Sequence, residues 1–205
     1  WFYDIPIYVN KHTLIPRPET EELVDIILKE NKNKSNLCII DIGTGSGCIP
    51  IILKRKFNNS HLYALDISYD ALEVARRNAS HYKANIHFIE NDFLNSSTFD
   101  LPVFDIIVSN PPYIPQHEHE VMDKNVTLFE PHSALFVPDN HPLVFYEGIK
   151  DFAKNHLNPL GIIYVETYYQ YAVETALIYE TEGYETAILK DISGNNRFVR
   201  AIKKP

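Results

Sequence analysis

Between residues 37 and 109, short apolar runs and longer amphipathic segments take turns: strand-like at 37–42, helical at 48–56, strand-like at 62–66, helical at 69–82, then strand-like at 86–90 and 104–109. A chain with this alternation buries its strands in a sheet whose faces are covered by the connecting helices. Right-handed βαβ units laid side by side then predict an α/β domain with a largely parallel sheet. In such sheets ligands bind beyond the carboxyl ends of the strands, so the residues that follow each strand are the ones to read for chemistry.

The flanks of this core read differently. Apolar and polar residues alternate over 2–9 and Asn10-Lys11 offers a turn, which predicts a small N-terminal β-hairpin. Pro16-Arg17-Pro18-Glu19-Thr20 is a helix-start signal, and Leu23, Ile26 and Ile27 carry an amphipathic helix to about residue 29. Residues 111–142 are rich in proline with little periodicity, a long excursion of the kind that serves a site. Regular structure resumes as a helix over 143–157, a strand over 162–166, a helix over 171–182 and strands over 185–190 and 197–203. Ser193-Gly194-Asn195-Asn196 between the last two predicts an antiparallel end to the sheet.

With 205 residues, 45% of them apolar, the chain suffices for one domain with a sizeable core. No run approaches the ~18 apolar residues of a membrane-spanning helix, and no basic-then-apolar leader follows Trp1, so a cytoplasmic protein without a membrane partner is expected. Cys38 and Cys48 sit in apolar surroundings and read as buried thiols. The formal net charge is −8 and the longest basic run is Lys54-Arg55-Lys56, which argues against a nucleic-acid partner.

Asp41-Ile42-Gly43-Thr44-Gly45-Ser46-Gly47 follows an apolar strand and opens a helix. Glycines there let a ligand approach the backbone at a helix N-terminus, and three of the chain's seven glycines fall in five positions. A bare tight turn is the alternative. The dinucleotide fingerprint would want its third glycine at position 48, which is Cys48, so a nicotinamide site is disfavoured. Asp66 ends the next strand, where a carboxylate can accept both hydroxyls of a ribose. The D-x-G-x-G-x-G form resembles the S-adenosylmethionine (SAM) site of Rossmann-like methyltransferases. That resemblance implies Asp41 near the methionine end, the backbone of Gly43, Thr44, Gly45, Ser46 and Gly47 under the cofactor, Asp66 on the ribose, and Asp92 and Phe93 flanking adenine.

The strand over 104–109 runs straight into Asn110-Pro111-Pro112-Tyr113. Two prolines fix φ and remove two backbone donors, leaving rigid carbonyl acceptors at the end of a parallel strand. A planar –NH2 group has two hydrogens to give. The Asn110 side-chain oxygen and the Pro111 carbonyl would take one each while the Tyr113 ring packs against the planar group. Methyl transfer from a sulfonium to such a nitrogen needs positioning and no strong base or metal.

From these residues the chain resembles the N-x-x-Y amino-methyltransferases, and more closely the peptide chain release factor glutamine methyltransferases. The similarity runs through residues 14–21 (Leu-Ile-Pro-Arg-Pro-Glu-Thr-Glu), the glycine turn, Asn110 to Tyr113, Phe129-Glu130-Pro131 and Gly194-Asn195-Asn196-Arg197. It implies a class I SAM-dependent methyltransferase fold, with a mostly parallel seven-stranded sheet and an antiparallel last strand. It also implies a SAM-dependent enzyme, yielding S-adenosylhomocysteine, that methylates the amide nitrogen of the glutamine in the release factor's Gly-Gly-Gln loop. Asn110, Pro111 and Tyr113 would be catalytic and bind the substrate, Asn110 also touching the cofactor, with Pro112 and Glu130-Pro131 shaping the substrate pocket. Residues 1–34 would be a lead-in following an N-terminal helical domain that the family carries, residues 35–205 the methyltransferase domain, and the chain a monomer. The alternatives are a DNA or RNA exocyclic-amine methyltransferase, a ribosomal-protein glutamine methyltransferase, or an inactive SAM-binding partner protein. Glu166-Thr167-Tyr168 departs from the family pattern, which usually has glycine after Glu-Ile.

His117-Glu118-His119-Glu120 lacks the i, i+4 histidine spacing of a helical zinc site and reads as a solvated loop at the substrate edge, so no metal is expected. Arg17 is either a cofactor or substrate contact or a helix-start arginine. Tyr168, Tyr169 and Tyr171 read as packing residues.

Overall fold

The structure is a computed structural model that describes residues 1–95, 100–121 and 130–205; Phe129 lies outside them. Among these, the α-helices are α1 (Pro18–Glu30), α2 (Cys48–Lys56), α3 (Tyr69–His81), α4 (Val144–His156) and α5 (Ala172–Glu180). The strands are β1 (Cys38–Ile42), β2 (His61–Asp66), β3 (Ile86–Glu90), β4 (Phe104–Ser109), β5 (Ile114–Pro115), β6 (Phe136–Val137), β7 (Leu157–Glu166), β8 (Glu185–Lys190) and β9 (Asn196–Ile202).

Seven strands form one sheet in the order β3-β2-β1-β4-β7-β9-β8. The first five pair in parallel, and β9 inserts antiparallel between β7 and β8. The expected sheet, with its antiparallel last strand, is therefore present. Strand parity explains why the central strands are apolar throughout. Ile39 of β1 packs with Leu23 and Ile27 of α1 and Ile51 of α2 on one face, while its neighbour Ile40 packs with Tyr146 and Phe152 of α4 and Tyr179 of α5 on the other. A fully buried isoleucine contributes roughly 1.5–3 kcal/mol, so both faces need helices.

Two expectations at the edges change. In place of the leading hairpin there is a single antiparallel bridge between Phe2 and Ile5, across Tyr3 and Asp4 at φ 51° and 59°. Phe2 is fully buried in the α1–α2 side of the core, but the backbone beyond it pairs with a side chain of α3 instead of returning as a strand. β7 begins at Leu157 instead of 162; its ladder with β4 shifts between Phe104 and Ile106, and Leu160 has φ 63°, so regular pairing starts at Ile162. Within the excursion, β5 and β6 pair in parallel as a two-stranded sheet of their own. Among the described residues no helix is long and apolar enough to cross a membrane.

Candidate active site

The strand order reverses between β1 and β4, so their carboxyl ends open a crevice between the loops that follow them. The buried Ser109 hydroxyl donates to the Ile42 carbonyl at 2.6 Å and pins the two strand ends together. The glycine turn is fixed from the other side, since Gly43 N and Thr44 N both donate to the Leu65 carbonyl at 2.8 and 3.0 Å. Gly43 and Gly45 have positive φ, and a Cβ built on either would meet nothing within 4 Å: their backbone faces the open cleft. Gly47 serves packing instead, because a Cβ there would stand 3.1 Å from Ala75 Cβ on α3.

The acidic residues of this half have distinct surroundings. Asp66 accepts from Gly45 N and from Ser68 N, each at 2.9 Å, one on each carboxylate oxygen. Its pKa is raised by burial and held back by those backbone bonds. Asp41 is wholly buried, and among the described residues neither of its oxygens closes a hydrogen bond. Burial pushes it up to about 7; the nearby Thr44 hydroxyl lowers it and the Asp66 charge raises it. Thr44 Oγ1 and Asn91 Oδ1 are likewise buried without a partner among the described residues. Asp92 Oδ1 accepts from the backbone amides of Leu94 and Asn95 at 3.2 and 3.3 Å and its Oδ2 from Asn95 Nδ2 at 2.8 Å, shaping the loop after β3. Phe93 lines the cleft and seats against Gly148, where a Cβ would come within 3.1 Å of its ring.

Asn110, Pro111 and Pro112 line the same cleft as the glycine turn, Asp66, Asp92 and Phe93. A buried network extends from them into the core, with Thr20 itself lining the cleft. Asn110 Nδ2 donates to Thr20 Oγ1 at 3.0 Å, Thr20 donates to Glu166 Oε2 at 2.8 Å, and the Tyr113 hydroxyl donates to Glu166 Oε1 at 3.2 Å. Burial raises Glu166 to about 7, with Thr20, Arg197 and Tyr113 pulling it down and Glu19 pushing it up. Tyr113 is thereby turned toward Glu166 and is not among the cleft-lining residues; its ring stacks on Tyr168 with centroids 6.1 Å apart. Glu130 also stands behind the wall, where it accepts from the Arg17 guanidinium and from Ile15 N. That pairing gives Arg17 a partner on the excursion and ties the lead-in to it. Next to Glu130, Pro131 and Ala134 line the cleft. His117 Nδ1 pairs with Asp139 at 2.7 Å and His119 packs against His132 and Phe136, an arrangement of rim contacts.

A family model, the methyltransferase small domain, matches residues 20–137. A release factor glutamine methyltransferase of Flavobacterium psychrophilum is 45% identical over 203 residues, covering 97% of this chain and 71% of the relative. One from Lactococcus lactis is 44% identical over 97% of this chain and 72% of the relative. The chain belongs to the release factor glutamine methyltransferase family. A crystal structure of a methyltransferase from Pyrococcus furiosus superposes with a TM-score of 0.71, covering 99% of this chain and 91% of that one at 20% identity, which supports the class I methyltransferase fold.

The segment matched by the family model contains the glycine turn, Asp66, Asp92 and Asn110 to Tyr113. Sequence reasoning missed Thr20 and Glu166, and also Asn78 on α3, which supports the site from outside the cleft by donating to the Ser46 carbonyl of the glycine turn at 2.9 Å. Thr20 read only as part of a helix start. Glu166 ends a buried strand, and a carboxylate in that position was the available signal. Asn78 lies mid-helix, where its pattern carries none.

Proposed function

We propose that the chain transfers a methyl group from SAM to the side-chain amide nitrogen of the glutamine in the Gly-Gly-Gln loop of peptide chain release factors, releasing S-adenosylhomocysteine. One observation carries the reading: Asn110, beside Pro111 at the end of β4, commits its amide nitrogen to Thr20 and so leaves its oxygen as the acceptor for the cleft. The cofactor half fits SAM. Buried, partnerless oxygens of Asp41, Thr44 and Asn91 surround a turn whose Gly43 and Gly45 leave open space for a ligand.

On this reading Asp41 serves the methionine end and residues 43–47 carry the cofactor on their backbone. Asp66, each of whose oxygens has a lone pair left after its backbone bond, takes the ribose hydroxyls. Asp92 and Phe93 flank the adenine. Bound SAM supplies a methyl group on a sulfonium, a good leaving group for in-line displacement. The protein's part is orientation. The Asn110 oxygen and the Pro111 carbonyl would accept the two amide hydrogens of the glutamine, which turns its nitrogen toward the methyl and favours the positive charge that develops there; one of the two N–H protons then leaves to solvent. Pro112 and the wall held by Glu130 confine the side chain, and Tyr113 braces the pocket from behind.

The same reading takes residues 35–205 as the catalytic domain and residues 1–34 as its lead-in, acting as a cytoplasmic monomer without nucleic-acid or membrane partners. The names of the relatives favour neither the nucleic-acid nor the ribosomal-protein alternative.

The test is transfer of labelled methyl from SAM to a purified release factor, beside the same factor with its loop glutamine changed to alanine. Label on the first and not on the second is expected. Equal label on both, or label on DNA or tRNA in preference to either, overturns the reading.

A further inference from the structure

An asparagine amide has two nearly isosteric ends, and only one of them suits a substrate that arrives with N–H groups. If Asn110 presented its –NH2 to the cleft, donor would face donor and the glutamine amide would be repelled. Something must therefore hold the amide one way round. Nothing in the Asn-Pro-Pro-Tyr motif does so, because the prolines fix the backbone and leave the Asn110 side chain free to rotate by half a turn.

The buried network supplies the missing constraint. Thr20 has a single hydroxyl hydrogen, and it lies on Glu166 Oε2 at 2.8 Å. With that hydrogen spent on a carboxylate, the hydroxyl can only accept from its other neighbour, Asn110 at 3.0 Å. A flipped amide would set its oxygen against the lone pairs of Thr20 and lose the bond. Glu166 in turn is held as an acceptor on its other oxygen by the Tyr113 hydroxyl at 3.2 Å, while Tyr146 donates to its backbone carbonyl at 3.2 Å. The direction of every bond thus follows from the charge on one buried carboxylate.

We infer that Glu166, acting through Thr20, sets which end of the Asn110 amide meets the substrate, making both of them positioning residues for methyl transfer. This rests on the proposed role of Asn110 as acceptor of the glutamine amide. Neither residue touches the reacting atoms in this account. The charged groups facing Glu166 are Arg197 on β9, which favours its ionised form, and Glu19 on α1, which opposes it; the phenols of Tyr113 and Tyr146 complete its surroundings. Protonation of the carboxyl gives it a hydrogen of its own to offer Thr20, and the direction of the chain is lost.

The experiment compares Thr20→Val, Thr20→Ser and Glu166→Gln with the unaltered chain, using SAM and a release factor as substrates. Thr20→Val keeps the shape and removes the hydroxyl: kcat is expected to fall about 10- to 100-fold with the KM for SAM within about twofold. Thr20→Ser restores the hydroxyl and is expected to recover most of the rate. In the unaltered chain kcat at saturating SAM is expected to rise with pH through about 7, as Glu166 ionises. Glu166→Gln has nothing to titrate, so that limb flattens. The Asp41 titration belongs to the cofactor half and shows in the KM for SAM, which keeps the two apart. Three results each overturn the inference: a Thr20→Val kcat within about twofold of the unaltered chain, a Thr20→Ser variant as slow as Thr20→Val, or an acid limb of kcat that survives in Glu166→Gln. Failure of the unaltered chain to label a release factor overturns the functional reading instead, so the two failures are distinguishable.

Discussion

Asn78 pairs with the backbone of Tyr8 as a neighbouring strand would: Tyr8 N donates to Asn78 Oδ1 at 3.0 Å, and Asn78 Nδ2 donates to Tyr8 O at 2.9 Å. The same Nδ2 donates to the Ser46 carbonyl at 2.9 Å. One buried side chain on α3 therefore holds both the glycine turn and the lead-in, whose Thr13, Leu14 and Pro16 line the cleft. Asn78→Ala strands three backbone groups and is expected to cost about 2–3 kcal/mol in denaturant unfolding. SAM affinity, read by calorimetry on the folded variant, should fall along with it. Lost stability with unchanged affinity would remove the lead-in from the cofactor wall.

Asp41 carries opposite consequences for stability and for binding. In the unfolded chain it ionises near about 3.9, whereas in the folded protein burial pushes it up to about 7. Between those values the folded protein holds a proton that the unfolded chain has released. Stability contributed by the neutral form is complete below the unfolded value and is lost as pH rises through the folded one. Asp41→Asn stays neutral throughout, so its cofactor-free melting temperature should exceed that of the unaltered chain at about pH 8 and coincide with it near about pH 3.5. Its affinity for SAM should fall, since a carboxylate that faces the cationic methionine end is gone. Scanning calorimetry at the two pH values, with SAM titrations at the higher one, checks both signs.

Much of this architecture is written locally. The strands at 86–90, 104–109 and 185–190 and the helix at 48–56 have the bounds that apolar patterning predicts, because each is a buried segment punctuated by polar or turn-forming residues. Asp41, Gly43, Gly45, Asp66 and Asn110 were legible for a related reason: each lies within three residues of a strand's carboxyl end. The hairpin over 2–9 misled because alternation reports which side chains are apolar and says nothing of what the backbone pairs with; here Tyr8 pairs with a side chain 70 residues away. Thr20 and Glu166 stand 146 residues apart, and no window of sequence contains their hydrogen bond. The motif predicts the Tyr113 ring against the substrate, but a phenol whose ring lies on Tyr168 and whose hydroxyl reaches Glu166, 53 residues along the chain, is oriented by partners that no local pattern reveals.

Gly45 and Gly47 both have positive φ, at 53° and 78°, yet alanine at each should injure something different. At Gly47 the added Cβ meets Ala75 Cβ at 3.1 Å and Ala75 Cα at 3.3 Å, so α2 and α3 must part. Strain and overpacking together are expected to cost about 2–4 kcal/mol of stability. At Gly45 the Cβ enters open cleft, leaving backbone strain of about 1 kcal/mol but occupying the space into which a cofactor would come. Thermal melts should rank Gly47→Ala as the less stable variant, and SAM titrations of the folded proteins should rank Gly45→Ala as the greater loss of affinity relative to its loss of stability.

Asn110→Ala separates the two halves of the cleft. Among the described residues the side chain makes one hydrogen bond, to Thr20, and that bond lies on the substrate side of the glycine turn. Its loss leaves Thr20 with one acceptor site unused, which is a small penalty because the hydroxyl still donates to Glu166. Stability should therefore change by no more than about 1 kcal/mol, and SAM affinity should stay within about threefold. Transfer of methyl to a release factor should fall by at least about 100-fold, because both the acceptor and its orientation of the glutamine amide are removed. An equal loss of SAM binding and of transfer would place Asn110 in the cofactor half and leave the Pro111 carbonyl as the sole acceptor proposed for the substrate.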